Sequence, residues 1–337
     1  LAEIFKNNLW KVKFCKNGKT EGDLGFYCED KSLPGRQKFS VITLNGLDQD
    51  HALRPNYTEF FSKENWGLFD VGLLPGERWI DGWSARQANF YNTPRLGVLT
   101  TGWFKGDRAV KKYARPFEKK NNKTLLYAPQ TEQDGKQKQV VDAAVGAGMK
   151  LKIKHWEQEK MVDLFPRLLT SDYMKNLTAE NAYASQFRNV EIICPTENFM
   201  NTLCEVDLLI TDQSSVLYEA AMLNIPSLTC YGWRHACGIC KGPQPSPDIT
   251  LAIEQNDLKE YFLKFEENYP TLLKNVKKVR NHNFTNLGTS SKTTFEKLTY
   301  LYEQNIHKSN VRRIRTDILA SSLKLQALIK YTKRLVK

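Results

Sequence analysis

Asp212, Ser214, Ser215 and Glu219 stand close together in the stretch LCEVDLLITDQSSVLYEAAMLNIPSL, which runs from Leu203 to Leu228. The apolar run Val206 to Thr211 predicts a short, buried parallel strand. A polar turn, Asp212-Gln213-Ser214-Ser215, follows it. A helix from Val216 to Leu223 comes next, stopped by Asn224 and Pro226, and a second apolar run reaches Cys230. Strand, turn, helix and strand make a βαβ unit, which sets functional residues at the strand's carboxyl end. Small hydroxyls at such a turn leave backbone N–H groups open to an anion, and the helix dipole favours negative charge there. Glu219, one turn further in, is placed to reach a ribose hydroxyl. The competing expectation is an ordinary N-cap, because Ser and Asp are the usual capping residues.

Other residues of chemical interest lie after other predicted strands. Asp48, Asp50, His51 and Arg54 follow the strand Phe39–Leu44, whose end is marked by the turn dipeptide Asn45-Gly46. They are acid–base types in a loop, or else a solvated loop and nothing more. His155 ends the strand Leu151–Lys154. Arg234, His235 and Lys241 lie in a Gly- and Pro-rich loop from Tyr231 to Asp248, where they could close over an anionic group. Cys237-Gly-Ile-Cys240 has metal-site spacing but no second pair, so we read it as incidental. No Asp-x-Asp pair sits at the central turn and no P-loop is present, so no metal and no cofactor is expected.

The elements that must position these residues alternate between strand and helix in both halves. Strands are expected at Phe39–Leu44, Phe69–Leu74, Leu96–Thr101, Thr124–Ala128, Leu151–Lys154, Val190–Cys194, Val206–Thr211 and Pro226–Cys230. Helices are expected at Arg78–Asn89, Gln133–Gly148, Glu157–Thr170, Glu197–Cys204, Leu258–Lys278 and Lys292–Asn305. That pattern predicts an α/β protein in which each half is an open parallel sheet covered by helices. A charged connector over 113–123 sets the expected domains at 1–118 and 119–305. The last segment, 306–337, has neither Pro nor Gly. It carries Val311, Ile314, Ile318, Leu325 and Leu328 at helical spacing among many Lys and Arg residues, which predicts a basic amphipathic helix.

The 337 residues suffice for two domains, and no apolar run is long enough to cross a bilayer. No signal peptide is visible, and the start at Leu1 rather than Met leaves room for an upstream piece. The 7 scattered cysteines suit a reducing cytoplasm better than a disulfide framework. The net charge of +12 implies attraction to something anionic: nucleic acid, membrane or phosphorylated substrate.

Five short motifs occur in order: Phe69-Asp-Val-Gly-Leu-Leu-Pro-Gly-Glu-Arg-Trp79, Thr101-Gly-Trp-Phe-Lys-Gly-Asp107, Leu126-Tyr-Ala-Pro129, Lys152-Ile-Lys-His155 and Leu209-Ile-Thr-Asp-Gln-Ser-Ser-Val216. Together they resemble the CDP-glycerol glycerophosphotransferases, which build teichoic-acid and capsule-type polymers. The resemblance covers roughly Phe39 to Leu228. It implies the GT-B arrangement of two facing doubly wound domains, with the donor nucleotide against the C-terminal one. It further implies that Asp212, Ser214 and Ser215 hold the donor pyrophosphate and that His155 contacts phosphate oxygens. All four are expected to converge on it from two adjacent strand ends. Gln213 replaces the family's usual Tyr, and Glu219 stands where the family often has Asp. At Asn45-Gly46 the family usually has His-Gly, whose His is a proposed base. Here Asp50 or His51, with Asp48 behind them, would take that task, or the acceptor and chemistry differ.

The reading that results is a cytoplasmic GT-B transferase, peripheral on the inner face of the membrane. It would move a glycerol-phosphate-like unit from a CDP-activated donor to a polymer or lipid-linked acceptor. One rival is a UDP-sugar glycosyltransferase or a related epimerase. A second is a nucleic-acid-binding protein, for which no RNA- or DNA-binding signature is present and no such partner is expected.

The C-terminal helix is expected to lie on anionic lipid, each basic residue near the surface contributing about 1 kcal/mol. The alternative is a helix packed on the protein. Liposome co-sedimentation of the full chain and of a chain ending at Asn310 tests this: the shorter chain should lose binding to anionic vesicles, and equal binding would remove the membrane role.

Overall fold

Continuous apolar runs of four to six residues are too short for helices and too uniformly apolar for a half-solvated sheet. They assemble into two all-parallel sheets. The structure is a computed structural model and describes residues 1–15, 21–28, 34, 37–44, 46–47, 66–80, 83, 93–113, 123–129, 135–155, 171–212, 215–231, 233 and 250–305. Outside these lie Asn45, Asp48, Asp50, His51, Gln213, Ser214, Arg234, the Cys237/Cys240 pair, the expected helix Glu157–Thr170 and the basic C-terminal segment.

The chain divides into two compact units. The first takes the described residues of 1–45, 56–104 and 289–337; the second takes those of 46–55 and 105–288. The division therefore falls at 104/105 rather than at 118/119. The helix Ser290–Asn305, expected in the second domain, returns to the first.

The first unit holds β1 (Gly22–Tyr27), β2 (Gln37–Thr43), β3 (Val71–Leu74) and β4 (Val98–Thr100), in that spatial order and all parallel. Phe39, Val41, Val71 and Leu73 form its core with Phe5 of α1 (Ala2–Asn7). Leu298 of the returning helix joins them. Trp79 and Trp83 are also buried. Asp70 is fully buried; it accepts the Ser40 N–H at 2.7 Å and the Arg95 Nε–H at 2.8 Å.

The second unit begins with α2 (Asp107–Tyr113) and builds a six-stranded sheet. In chain order its strands are β5 (Thr124–Tyr127), β6 (Lys150–Lys154), β7 (Val190–Ile193), β8 (Leu208–Ile210), β9 (Ser227–Cys230) and β10 (Leu251–Ile253). In space the order is β10-β9-β8-β5-β6-β7. The chain thus runs outward from β5 through β6 to β7, crosses back to the other side of β5 at β8, and runs outward again. Leu125, Leu126 and Tyr127 of β5 are each fully buried, so both faces of this central strand are covered. α3 (Lys136–Gly146) supplies Val140, Val141 and Ala144 to the core, and α7 (Leu258–Leu263) and α8 (Phe265–Asn283) supply Leu258, Phe262 and Phe265. Between β6 and β10 the described helices are α4 (Ser171–Ala184), α5 (Phe199–Leu203) and α6 (Val216–Met222); α9 (Ser290–Asn305) is the helix of the first unit. Asn224, at φ 58° just past α6, ends that helix in the left-handed conformation that Asn tolerates.

Asp207 joins the two strands on which the site depends. Its backbone N–H donates to the Thr124 carbonyl at 2.8 Å and its carboxylate accepts the Thr124 N–H at 3.0 Å. Asp207→Ala should lower stability by about 1.5–3 kcal/mol, the worth of a hydrogen bond to a charged group. Urea denaturation of the variant beside the parent checks it.

Candidate functional site

The carboxyl ends of β5 and β8 lie side by side where the strand order reverses, the position at which open α/β sheets bind ligands. Their ends are tied together: the Ala128 N–H donates to the Ile210 carbonyl at 2.9 Å, and the Thr211 hydroxyl donates to the Ala128 carbonyl at 2.6 Å. Thr211 also reaches the other way, its N–H to Leu228 O at 3.1 Å. Asp212 follows on this fixed strand end. It is fully buried and faces Lys136, the first residue of α3, with Nζ and Oδ2 3.4 Å apart. Lys136 is itself buried and its ammonium lies 5.8 Å from the centre of the Trp233 ring, beyond β9.

Ser215 occupies the N-cap of α6 with helical dihedrals, and its hydroxyl bonds none of the helix amides. The cap that sequence offers as its ordinary role is not made. Glu219 lies one turn into α6, and burial pushes its carboxyl up to about 7 against the opposing charge of Lys105. Some of its surface remains accessible, yet desolvation governs its titration. Next to Lys105, a Cβ at Gly106 would sit 1.9 Å from the Met222 sulfur, so a larger residue there would have to displace that side chain of α6.

His155 ends β6, which borders β5 on its other side. The expectation that His155 and Asp212 come from adjacent strands is therefore corrected: β5 separates β6 from β8. Two strand spacings, about 10 Å, divide them. The first two residues of α3 span that gap, Lys136 meeting Asp212 and Gln137 meeting His155. The His155 Nε2 and Gln137 Oε1 are 2.7 Å apart. Gln137 Nε2 donates to Asn181 Oδ1 of α4 at 3.0 Å, so its oxygen is the end that faces the imidazole and His155 carries its proton on Nε2. Burial drives the His155 pKa down to about 4, which keeps the ring neutral at ordinary pH. The neutral imidazole thus donates its Nε2–H to Gln137. Beside it, Lys154 donates to the Cys194 and Pro195 carbonyls at 2.9 and 3.1 Å and staples the end of β6 to that of β7.

Of the sequence-predicted residues, Asp212, Ser215 and Glu219 share one strand end and the helix after it, and His155 lies two strands away. Sequence reasoning missed Lys136, Gln137 and Lys105. The signal for the first two was present: a Lys-Gln pair near the start of the helix that follows the domain's first strand. Among the described residues no group of three or more His, Cys, Asp or Glu could hold a metal ion.

No family model and no curated protein matches the sequence. Solved structures do. The wall teichoic acid polymerase TagF, soaked with CDPG, superposes with a TM-score of 0.54 at 15% identity, covering 85% of this chain and 73% of that chain. A structure from Listeria monocytogenes assigned as a UDP-N-acetylglucosamine 2-epimerase superposes with a TM-score of 0.51 at 12% identity, covering 90% and 78%. At these identities the likeness is one of fold: the chain is an α/β protein of the GT-B type.

Glu219 gives the described site a pH signature. Its folded pKa of about 7 lies above the ordinary 4.5, so the folded state holds a proton that the unfolded chain has released. Stability from this group is complete below about pH 4.5 and is lost as pH rises through about 7. Glu219→Gln should therefore be more stable than the parent at about pH 8 and equal to it at about pH 4.5. Denaturation at the two pH values reads the difference.

Proposed function

We propose that the chain is a GT-B transferase that moves a glycerol-phosphate-like unit from a CDP-activated donor to a polymer or lipid-linked acceptor. The observation that carries this reading is the strand end at the β5/β8 reversal, where Asp212 faces a buried ammonium and the chain runs on to Ser215, whose hydroxyl makes no cap bond to the following helix. Such an edge suits a nucleotide diphosphate. The ordered motifs from Phe69 to Val216 and the likeness of fold to TagF, whose structure was soaked with CDPG, support the choice of donor.

In the reaction, the acceptor hydroxyl oxygen attacks the phosphorus that bears the glycerol unit. The phosphoanhydride bond breaks, CMP leaves, and a base removes the acceptor's proton. Negative charge grows on the departing phosphate, and donors fixed in place before the reaction stabilise it most effectively. Ser215, with Ser214 and Arg234 on sequence grounds, would bind that phosphate, and Glu219 the ribose. Asp50 or His51 would be the base, a role typically worth about 10²–10⁴ in rate. The work would be done on the cytoplasmic face of the membrane; among the described residues no helix is long and apolar enough to cross it.

The second reading is a UDP-sugar enzyme, motivated by the similar fold of the Listeria monocytogenes structure. A product assay with both donors separates the two. CMP from CDP-glycerol supports the proposal. UDP from a UDP-sugar supports a glycosyltransferase, and inversion of UDP-N-acetylglucosamine at C2 supports an epimerase. In the same protein, Ser215→Ala should weaken donor binding by about ten- to a hundredfold. Its melting temperature should hold, since no cap is lost. Normal donor affinity in that variant would remove Ser215 from the site.

A further inference from the structure

We propose that the stretch from Lys6 to Phe14 is a membrane-docking surface of the first unit. Leu9 and Phe14 enter the apolar edge of an anionic bilayer, and Lys6, Lys11 and Lys13 meet its headgroups. The inference goes beyond the donor-site reading and stands or falls without it, since lipid binding needs no nucleotide. It begins from the way α1 ends. The Leu9 N–H donates to the Lys6 carbonyl at 3.1 Å and the Trp10 N–H to the Phe5 carbonyl at 3.0 Å, while Leu9 itself takes φ 65°. These are the bonds of a Schellman cap, whose left-handed residue is usually Gly and sometimes Asn, because a Cβ is strained there. The apolar contact that accompanies such a cap is also made: the Phe5 and Trp10 rings meet edge to face with centroids 5.4 Å apart. At the glycine position, however, stands a leucine that is 97% exposed. It strains the backbone and buries nothing, so folding does not account for it.

Past the cap the side chains alternate. Trp10 and Val12 pack against the core that Phe39, Val41 and Leu298 share, and Lys11 and Lys13 are exposed between them and beyond. Phe14 follows, 79% exposed, and with Leu9 it is the most exposed of the large apolar side chains among the described residues. Lys6 is exposed in the last turn of α1, and Glu3 is the one acid in the first fifteen residues. That mixture decides the occupant. Nucleic acid would answer the lysines and leave Leu9 and Phe14 in water. A bilayer with anionic lipid answers both, because apolar side chains seat at the boundary of headgroup and acyl chain while lysine stems reach back to the phosphates. The course of the chain agrees. Trp10 also rests on Tyr302 of α9, ring centroids 5.5 Å apart, three residues before that helix ends at Asn305. The chain thus passes into its Lys- and Arg-rich C-terminal sequence close to this surface. One weak anchor gives marginal, reversible binding and two give stable attachment.

The test uses the full chain, vesicles of phosphatidylglycerol mixed with phosphatidylcholine, and co-sedimentation without nucleotide. The parent should bind the mixed vesicles and not those of phosphatidylcholine alone. Leu9→Ser with Phe14→Ser, which leaves the charge unchanged, should weaken binding by about tenfold or more. Lys6→Gln, Lys11→Gln and Lys13→Gln together should weaken it by about a hundredfold. Leu263→Ser, at an exposed leucine of the second unit, should change nothing. Leu9→Gly separates docking from folding: it should melt higher than the parent, because the strained position is relieved, and yet bind vesicles less. A parent that ignores anionic vesicles overturns the inference, as does a Leu9→Ser, Phe14→Ser protein that binds them like the parent. A parent that dimerises in sedimentation velocity, with the dimer lost and vesicle binding kept in that variant, assigns the surface to a second copy of the chain and also overturns it.

Discussion

The second unit depends on a reversal of strand order. Because β8 returns to the side of β5 opposite β6, the strand order reverses at the β5/β8 pair, the position at which open α/β sheets bind ligands. The carboxyl ends of the two strands are tied by the Thr211–Ala128 bond, and Asp212, the next residue, forms the Lys136–Asp212 pair. A buried ion pair is a poor way to gain stability, since desolvation consumes most of its Coulomb energy. Its presence at this one edge argues for a role other than stability.

Three lysines near this edge do different things, and the neighbours decide which. Lys154 spends its ammonium on two backbone carbonyls and serves as a staple. Lys105 is exposed and its charge opposes the rise in the Glu219 pKa. Lys136 is buried between a carboxylate and an indole. His155 adds no positive charge, because burial keeps it neutral. The imidazole instead orients Gln137, and through it the start of the helix that bears Lys136. The electrostatics of the described edge are thus organised from α3, an element whose first residues drew no notice in the sequence.

The strands were legible because the central strands of a parallel sheet are apolar on both faces, and FSVIT, VGLL, TLLY and LLI read without ambiguity. Some elements were not foreseen. β10 has only three residues, partly exposed, and follows a loop rich in Gly and Pro. α4 opens with Ser-Asp and carries few apolar residues, so its periodicity is faint. α1 holds one buried side chain, Phe5, and depends on α9 far along the chain for its packing. Strand order was not legible at all. It is set by long-range packing, and for that reason β6 and β8 were expected to touch although β5 lies between them. The same non-locality hid Lys136, which is 76 residues from the carboxylate that it faces. Asp212, Ser215 and Glu219 were found because a βαβ unit keeps its chemistry within a few residues of sequence.

On the proposed reading, a donor site cannot by itself select one chemistry from another. Phosphotransfer from a CDP-alcohol and sugar transfer from a UDP-sugar both end with negative charge on a nucleotide phosphate, and one set of fixed donors serves either. A proton acceptor for the incoming hydroxyl is where the two must part, because its position fixes which atom is attacked. On the proposed reading that position belongs to the stretch of sequence after β2, where Asp48, Asp50 and His51 stand a few residues beyond Asn45 and the histidine of the resembling family is absent. Selectivity would then be sought within a few residues of Asn45, and binding energy for the nucleotide at the β5/β8 edge.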